Sequence, residues 1–394
     1  MGRYDFDTVP DRRNTNCLKH DFGMKHKGRD DLLSLWVADM DFRIPDEVLE
    51  DIMTRARHGI FGYTEPDNHY YEAVCGWYRR RHDWEIAEDQ ITAVPGVVYG
   101  FAQAIQAYTK PGDAVIINQP VYYPFTSTIL KNNRKLVNSE LLYINGRYEI
   151  DFEDFECKIR DNSVKLFLLC SPHNPVSRVW TKAELTKLCD ICFRYDVQIV
   201  ADEIHGDFVF EGNHFVPIAT LGEDVADRVV VCTSPSKTFN IAGLQIANIV
   251  IPNKKLRDIY RLQMARGGYF HPNVFGFTAC ESVYEKGEPW LIELLTYLQG
   301  NMEFVSSFLK EHIPAVHLVK PEGTYLLWLD CSELSLSYDD LEDLIVDKAH
   351  LWLDSGRMFG RASDQFERIN IACPRIVLKQ ALMQLKQAVD GRKL

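Results

Sequence analysis

The chain has 394 residues, 46% hydrophobic and 12% aromatic, enough to bury a sizeable core and to read as one large domain with a smaller one. Its formal net charge of −12 repels phosphate backbones, and no basic run longer than Arg79-Arg80-Arg81 offsets it, so nucleic acid is excluded as an expected partner. The N-terminus Met1-Gly2-Arg3-Tyr4-Asp5-Phe6 lacks an apolar signal core, Phe6 breaks the myristoylation pattern, and no later stretch is apolar for long enough to span a bilayer; a cytoplasmic enzyme or binding protein is expected.

In chain order, the hydrophobic periodicity predicts a helix over 97–109, a strand over 114–118, a helix over 123–132, a strand over 164–170, a helix over 182–195 and strands over 197–202, 228–233 and 247–251. Apolar strands alternating with amphipathic helices predict a wound α/β sheet whose buried strands run mostly parallel. Asn145-Gly146 between β-rich arms predicts a type I′ hairpin over 140–151. From about residue 285 the pattern changes to a long helix (288–312), a β pair around 316–329, a helix near 338–349, strands near 351–353 and 368–372 and a closing helix over 377–389. The expected division is a large unit over 41–284 and a smaller α+β unit made of residues 1–40 and 285–394.

Ten cysteines are scattered along the chain. The one close pair, Cys189 and Cys192, falls in a helical pattern with no second pair at zinc spacing, so it reads as helix packing; no metal site is expected, and reduced thiols fit the cytosol.

The residues suited to chemistry stand just past strand ends, where the loops of a wound sheet form its crevice. The strand over 164–170 runs into Ser171-Pro172-His173-Asn174-Pro175, the next ends in Asp202-Glu203-Ile204-His205, and the one after leads to Ser234-Pro235-Ser236-Lys237-Thr238-Phe239-Asn240. A lysine at the end of an apolar run, bracketed by small hydroxyl residues, suits imine formation with an anion held beside it. A metal cluster of Asp202 with Glu203, His205 and Asp207 is disfavoured, because alternate strand residues face opposite ways. Pro95-Gly96-Val97-Val98 opens the helix over 97–109 and leaves first-turn N–H groups free for an anion.

Asn174, Asp202 and Lys237 in this order resemble the fold-type I pyridoxal phosphate enzymes, the aspartate aminotransferase superfamily. The likeness covers essentially the whole chain. Within it, Trp36-Val37-Ala38-Asp39-Met40-Asp41-Phe42, Gly62-Tyr63-Thr64, Pro120-Val121-Tyr122-Tyr123-Pro124-Phe125 and Phe366-Glu367-Arg368-Ile369-Asn370 resemble the MalY/PatB-type cystathionine β-lyases, the group that includes cystalysin. The resemblance implies a large domain with a mostly parallel seven-stranded sheet beside a smaller α+β domain, pyridoxal 5′-phosphate as cofactor, and a homodimer with shared active sites.

The site roles follow from the same resemblance. Lys237 is expected to carry the cofactor and then act as base, Asp202 to face the pyridine nitrogen, Asn174 the ring oxygen, and Tyr122 to stack on the ring. A carboxylate about 4 Å from that nitrogen gains roughly 4 kcal/mol at an effective dielectric near 20, about three pKa units, which keeps the ring protonated. Gly96, Val97, Val98 and Ser236, with Ser234 as an extra donor and Tyr63 from the neighbouring subunit, are assigned to the phosphate. Arg368 is assigned to the substrate α-carboxylate through its bidentate fork, with Tyr123 and Asn174 near the substrate. Arg375 is a rival for that role, and Lys19 and His205 match the group's phrases without an assigned task. Many aminotransferases place an arginine on the phosphate where this chain has Gln245, a departure that suits the lyases. The implied reaction is β-elimination from L-cystathionine, a related cysteine S-conjugate or L-cysteine to thiol or sulfide, pyruvate and ammonia; an aminotransferase exchanging amino groups with a 2-oxo acid is the alternative.

Overall fold

The computed structural model describes residues 2–392. Its centre is a seven-stranded sheet of β1 (Ile91–Val94), β2 (Ala114–Ile117), β3 (Lys135–Asn138), β4 (Leu166–Cys170), β5 (Gln198–Asp202), β6 (Val229–Thr233) and β7 (Ala247–Val250), in the spatial order β1-β7-β6-β5-β4-β2-β3. The five strands from β6 to β3 are parallel, and β7 runs antiparallel to both neighbours. The chain therefore has the α/β fold that the apolar runs imply.

The two faces of the sheet follow the strand period of two. Leu166, Leu168 and Cys170 of β4, Val200 of β5 and Val230 and Cys232 of β6 join one apolar layer, while Phe167, Leu169, Ile199, Ala201, Val229 and Val231 join the other. The first layer is closed by helix α1 (Val97–Tyr108), through Val97, Phe101, Ala104 and Ile105. By its position Asp202 shares the face of Val200, beside Cys170 and Cys232 in the strand register, so a carboxylate ends up at the sheet's edge on the side where α1 begins.

A second, antiparallel sheet joins β8 (His317–Leu318), β9 (Leu326–Asp330), β10 (Asp354–Ser355) and β11 (Phe366–Asn370) in the order β8-β9-β11-β10. The helices Glu288–His312 and Arg375–Asp390 pack against one another beside it. The hairpin appears where Asn145-Gly146 places it, with Ile144 opposite Arg147 and both turn residues at positive φ (50° and 77°). All ten cysteines are free, Cys189 and Cys192 being buried in the helix Lys182–Arg194, and among the described residues no group of metal-ligating side chains forms. Among those residues no helix is long and apolar enough to cross a membrane.

Four differences from the sequence reading have local causes. Strands β1 and β3 escape the pattern because neither is a continuously buried apolar run: β1 buries fully only Ile91 and Val94, and β3 only Val137, whereas the equally short β2 and β7 are buried throughout. The segment near 338–349 is α-helical only over Tyr338–Glu342 and then π-helical over Asp343–Lys348. Leu351–Trp352 pairs in parallel with Leu33–Ser34 and stays outside the four-stranded sheet, so the N-terminal segment is stitched to the C-terminal one. The helices Asp46–Arg57, Asn68–His82, Lys254–Arg266 and Val274–Lys286 add cover that the strand pattern does not announce.

The two sheets are tied at Gly323, which bridges Val209 while Thr324 N donates to Phe208 O at 2.9 Å. A Cβ there would stand 2.5 Å from the Phe208 carbonyl oxygen and 2.7 Å from Val179 Cγ2. Gly323→Ala is expected to destabilise the fold by about 1–3 kcal/mol, the usual cost of overpacking, as measured by denaturant unfolding; an unchanged midpoint would refute this close approach.

Candidate active site

The carboxyl ends of β4, β5 and β6, the N-terminus of α1 and the segment 36–42 enclose a cavity of about 760 Å³ of free space, partly open to solvent. It is lined by Ala38, Gly96, Val97, Val98, Tyr122, Asn174, Asp202, His205, Ser236, Lys237 and Gln245, with Pro95, Cys170, Ile204, Ala242 and Ile246 supplying the rest of the wall. Most of the residues singled out in the sequence thus meet at one place.

Asp202 ends β5 and is buried, with one carboxyl oxygen accepting from Ile204 N at 3.2 Å. Burial pushes its pKa up to about 7, against the opposing pull of that hydrogen bond and of Lys237. Lys237 sits on the short helix Pro235–Thr238 after β6, and its Nζ donates to Ala38 O at 2.6 Å. Burial lowers the amine to about 8; Asp39 and Asp202 resist that shift and Arg368 adds to it.

Asn174 is locked from two sides. Its carbonyl accepts from Tyr122 N at 3.0 Å, and its Oδ1 accepts from Arg368 Nη1 at 3.0 Å, which leaves its side-chain N–H groups free to donate. Tyr122 presents its ring to the cavity beside Phe125, and burial drives its phenol far above the usual range. Tyr123 stands one step back, against Tyr122 at 5.5 Å and Phe359 at 5.8 Å between ring centres, and does not line the cavity.

Gly96 precedes α1 in extended backbone, and a Cβ built on it meets nothing within 4 Å. Gly100 N is bonded to Gly96 O at 2.9 Å, so the amides of Val97 and Val98 are among the unpaired donors of the first turn. Ser236 lines the same end. Ser234 corrects the sequence reading: its hydroxyl donates to Ile246 O at 2.7 Å and accepts from Ser236 N at 3.0 Å, so it caps the lysine-bearing helix and has no proton left for a phosphate. Tyr63 is 95% exposed, its ring against His271, outside the cavity of its own chain.

Arg368, on β11, is buried beside Asn174 and Asp354. Its rival Arg375 lies elsewhere, with Nε donating to Asn301 Oδ1 at 2.5 Å and the guanidinium over Phe304. Lys19 is wholly buried in an ion pair with Asp41 at 2.7 Å, which Arg12 and His20 also join, so it braces the N-terminal segment.

Ala38, His205 and Gln245 reach the cavity although the sequence assigns them no task there. Glu203 and Asp207 do turn away from Asp202, towards Ile218 N (2.8 Å) and towards His82 (2.9 Å) and Thr238 (2.7 Å). His205 does not: β5 ends at Asp202, the strand alternation stops, and the next turn returns His205 to the cavity. Burial lowers its pKa to about 3, so it is neutral. Ala38 enters through a backbone carbonyl, invisible in a side-chain motif, and Gln245 through a left-handed backbone (φ 53°) after β6.

This donor set fits a flat, phosphorylated aromatic aldehyde. A buried carboxyl pushed towards neutrality gains by facing a cationic ring nitrogen, an amide N–H is free for a ring oxygen, the open side of Gly96 and the α1 amides form a cradle for an anion, and a lysine amine reaches between them.

The aminotransferase class I and II family model matches residues 30–385, and the chain belongs to that family, whose cofactor here is pyridoxal 5′-phosphate. Within the family its likeness is to the carbon–sulfur lyases of the PatB/MalY type. It is 43% identical to cystathionine β-lyase PatB of Bacillus subtilis over 98% of this chain and all of that one. Among solved structures it matches cystalysin from Treponema denticola, which contains pyridoxal 5′-phosphate, with a TM-score of 0.96 and 36% identity over 99% and 100% of the two chains. It also matches the pyridoxal phosphate-bound C–S lyase from Staphylococcus hominis, with a TM-score of 0.89 and 33% identity over 98% of each chain.

Only a neutral amine attacks an aldehyde. With Lys237 at about 8, cofactor-free protein is expected to take up pyridoxal phosphate faster as the pH rises towards that value and to level off above it, read from visible absorbance; a pH-independent rate would refute the assignment. Lys237→Ala is expected to develop no such absorbance.

Proposed function

We propose that the protein is a pyridoxal phosphate-dependent carbon–sulfur β-lyase that converts L-cystathionine or a related cysteine S-conjugate, L-cysteine among them, to a thiol or sulfide, pyruvate and ammonia. The observation that carries this reading is the full-length 43% identity to a chain named for cystathionine β-lysis. Gln245 in the cavity, at the position where many aminotransferases hold the phosphate with arginine, favours it further.

When bound, pyridoxal phosphate supplies an electron sink for the charge left on the substrate α-carbon. Asp202 would keep a proton on the ring nitrogen, Asn174 would donate to the ring oxygen, and Tyr122 would cover the ring. The amides of Val97 and Val98 at the start of α1, next to Gly96, would hold the phosphate with Ser236. Lys237 would anchor the cofactor, and its amine, once free, would be held next to the substrate's Cα proton and remove it; proximity replaces a bimolecular encounter. Arg368, with Asn174 behind it and Tyr123 nearby, orients the α-carboxylate. Sulfur on the β-carbon then departs as thiol, and the remaining three-carbon fragment hydrolyses to pyruvate and ammonia.

A second reading, transamination, is favoured by the family model itself, and the same residues would serve it if no leaving group sat on the β-carbon. The two readings part on products. With L-cystathionine or L-cysteine, stoichiometric pyruvate and thiol or sulfide are expected; formation solely of a new amino acid from an added 2-oxo acid would establish the aminotransferase instead.

The exposed Tyr63 ring is assigned to the phosphate of a neighbouring copy, which makes the working unit a homodimer. Tyr63→Phe is expected to weaken cofactor retention on dialysis several-fold without lowering the unfolding temperature of the cofactor-free protein. Unchanged retention would count against the shared site.

A further inference from the structure

Arg368 already holds a carboxylate from its own chain. It lies opposite Asp354 in the β10–β11 register, and its Nη2 donates to Asp354 Oδ2, the two side chains being 3% and 2% exposed. The same Nη2 donates to Trp36 O at 2.7 Å, Nη1 donates to Asn174 Oδ1 at 3.0 Å, and Nε is buried without a partner. The Phe359 ring covers the guanidinium at 4.9 Å.

A guanidinium grips a carboxylate bidentately through one of two forks, Nε with Nη2 or Nη1 with Nη2. Both forks need an Nη2 proton, and both Nη2 protons are taken, one by Asp354 and one by the Trp36 carbonyl. An incoming carboxylate must displace one of them. The Trp36 carbonyl belongs to a backbone segment fixed by Asn370, whose Nδ2 donates to Val37 O and Asp39 O at 2.6 Å each. Asp354 is held by its side chain, carries the same charge as the newcomer and stands close enough to the cavity wall for Tyr122 and Tyr123 to feel its field. It is the group that yields.

We propose that Asp354 is an internal carboxylate that competes with the substrate's α-carboxylate for Arg368 and so sets how tightly the site takes carboxylate-bearing ligands. This rests on Arg368 as the substrate clamp. Asp354 acts through Arg368 and is a positioning residue; its presence weakens ground-state binding of every carboxylate, product as well as substrate.

The test uses the cofactor-loaded enzyme with propionate as the anionic probe and propionamide as its neutral isostere, each measured as a competitive inhibitor and by the ligand-dependent rise in unfolding temperature. In Asp354→Asn, whose amide keeps the shape and an acceptor oxygen but not the charge, propionate is expected to bind about fivefold tighter or more while propionamide is unchanged. Asp354→Ser, with a shorter neutral acceptor, is expected to move the same way. Equal or weaker propionate binding in both variants overturns the proposal, as does failure of both to retain cofactor, which would make Asp354 a structural residue. Arg368→Met separates the two claims: propionate preference that survives there refutes the clamp itself, whereas preference lost there but unmoved in the Asp354 variants refutes the competition alone.

Discussion

The site depends on the burial of two opposite charges at the edge of one sheet. Asp202 is carried there by the register of β5 between β4 and β6, and Lys237 by the short helix that follows β6. Neither group is stable as an isolated ion in an apolar layer, and each shifts towards neutrality, Asp202 upward and Lys237 downward. A cationic ring nitrogen in front of Asp202 and a covalent partner for Lys237 each relieve a desolvation cost that the fold has imposed. Cofactor affinity is in this sense a consequence of sheet packing.

The second constraint is the segment 36–42, which no strand ladder holds and which side chains pin at nearly every residue. Arg368 donates to Trp36 O, Asn370 to Val37 O and Asp39 O, Tyr325 to Ala38 O at 3.0 Å, and Asn240 to Met40 O at 2.8 Å and Phe42 O at 3.0 Å. Buried carbonyls need donors, and here the donors come from β11, from Tyr325 just before β9 and from the loop behind Lys237. The segment is thereby common to the surroundings of Lys237 and of Arg368. A displacement of it would move both at once.

Much of this was legible in the sequence, and the rest was hidden for identifiable reasons. Apolar runs ending in Cys170, Asp202 and Thr233 announce buried parallel strands, and the polar residues just beyond them fall into the crevice as wound sheets require. The antiparallel sense of β7 leaves no mark on side-chain pattern, since a strand buried on both faces reads alike in either direction. His205 was misplaced by extending strand alternation one turn too far, and Ser234 by treating a hydroxyl near an anion site as free when a buried carbonyl claims its proton. The Asp354–Arg368 pair depends on the pairing of β10 with β11, a register that two-residue strands cannot reveal in advance.

In the proposed reaction one residue serves as both anchor and base, and the surroundings of Lys237 bear on how it could. A general base works best when its pKa lies near the operating pH, because its neutral form is then populated while it still holds a proton firmly. Burial lowers the Lys237 amine and Arg368 pushes the same way; Asp39 and Asp202 pull it back, leaving it at about 8. Ala38 O accepts a proton from Nζ in either state and so fixes its position, holding the ammonium form the more firmly. Two of the four influences change during the reaction. In the proposed reaction a substrate carboxylate on Arg368 takes the place of Asp354, and a protonated ring nitrogen would occupy the field of Asp202. The first exchange leaves the charge beside Lys237 nearly as it was; the second would weaken the pull of Asp202 and so lower the affinity of Lys237 for a proton, leaving Asp39 as the carboxylate that still resists the effect of burial.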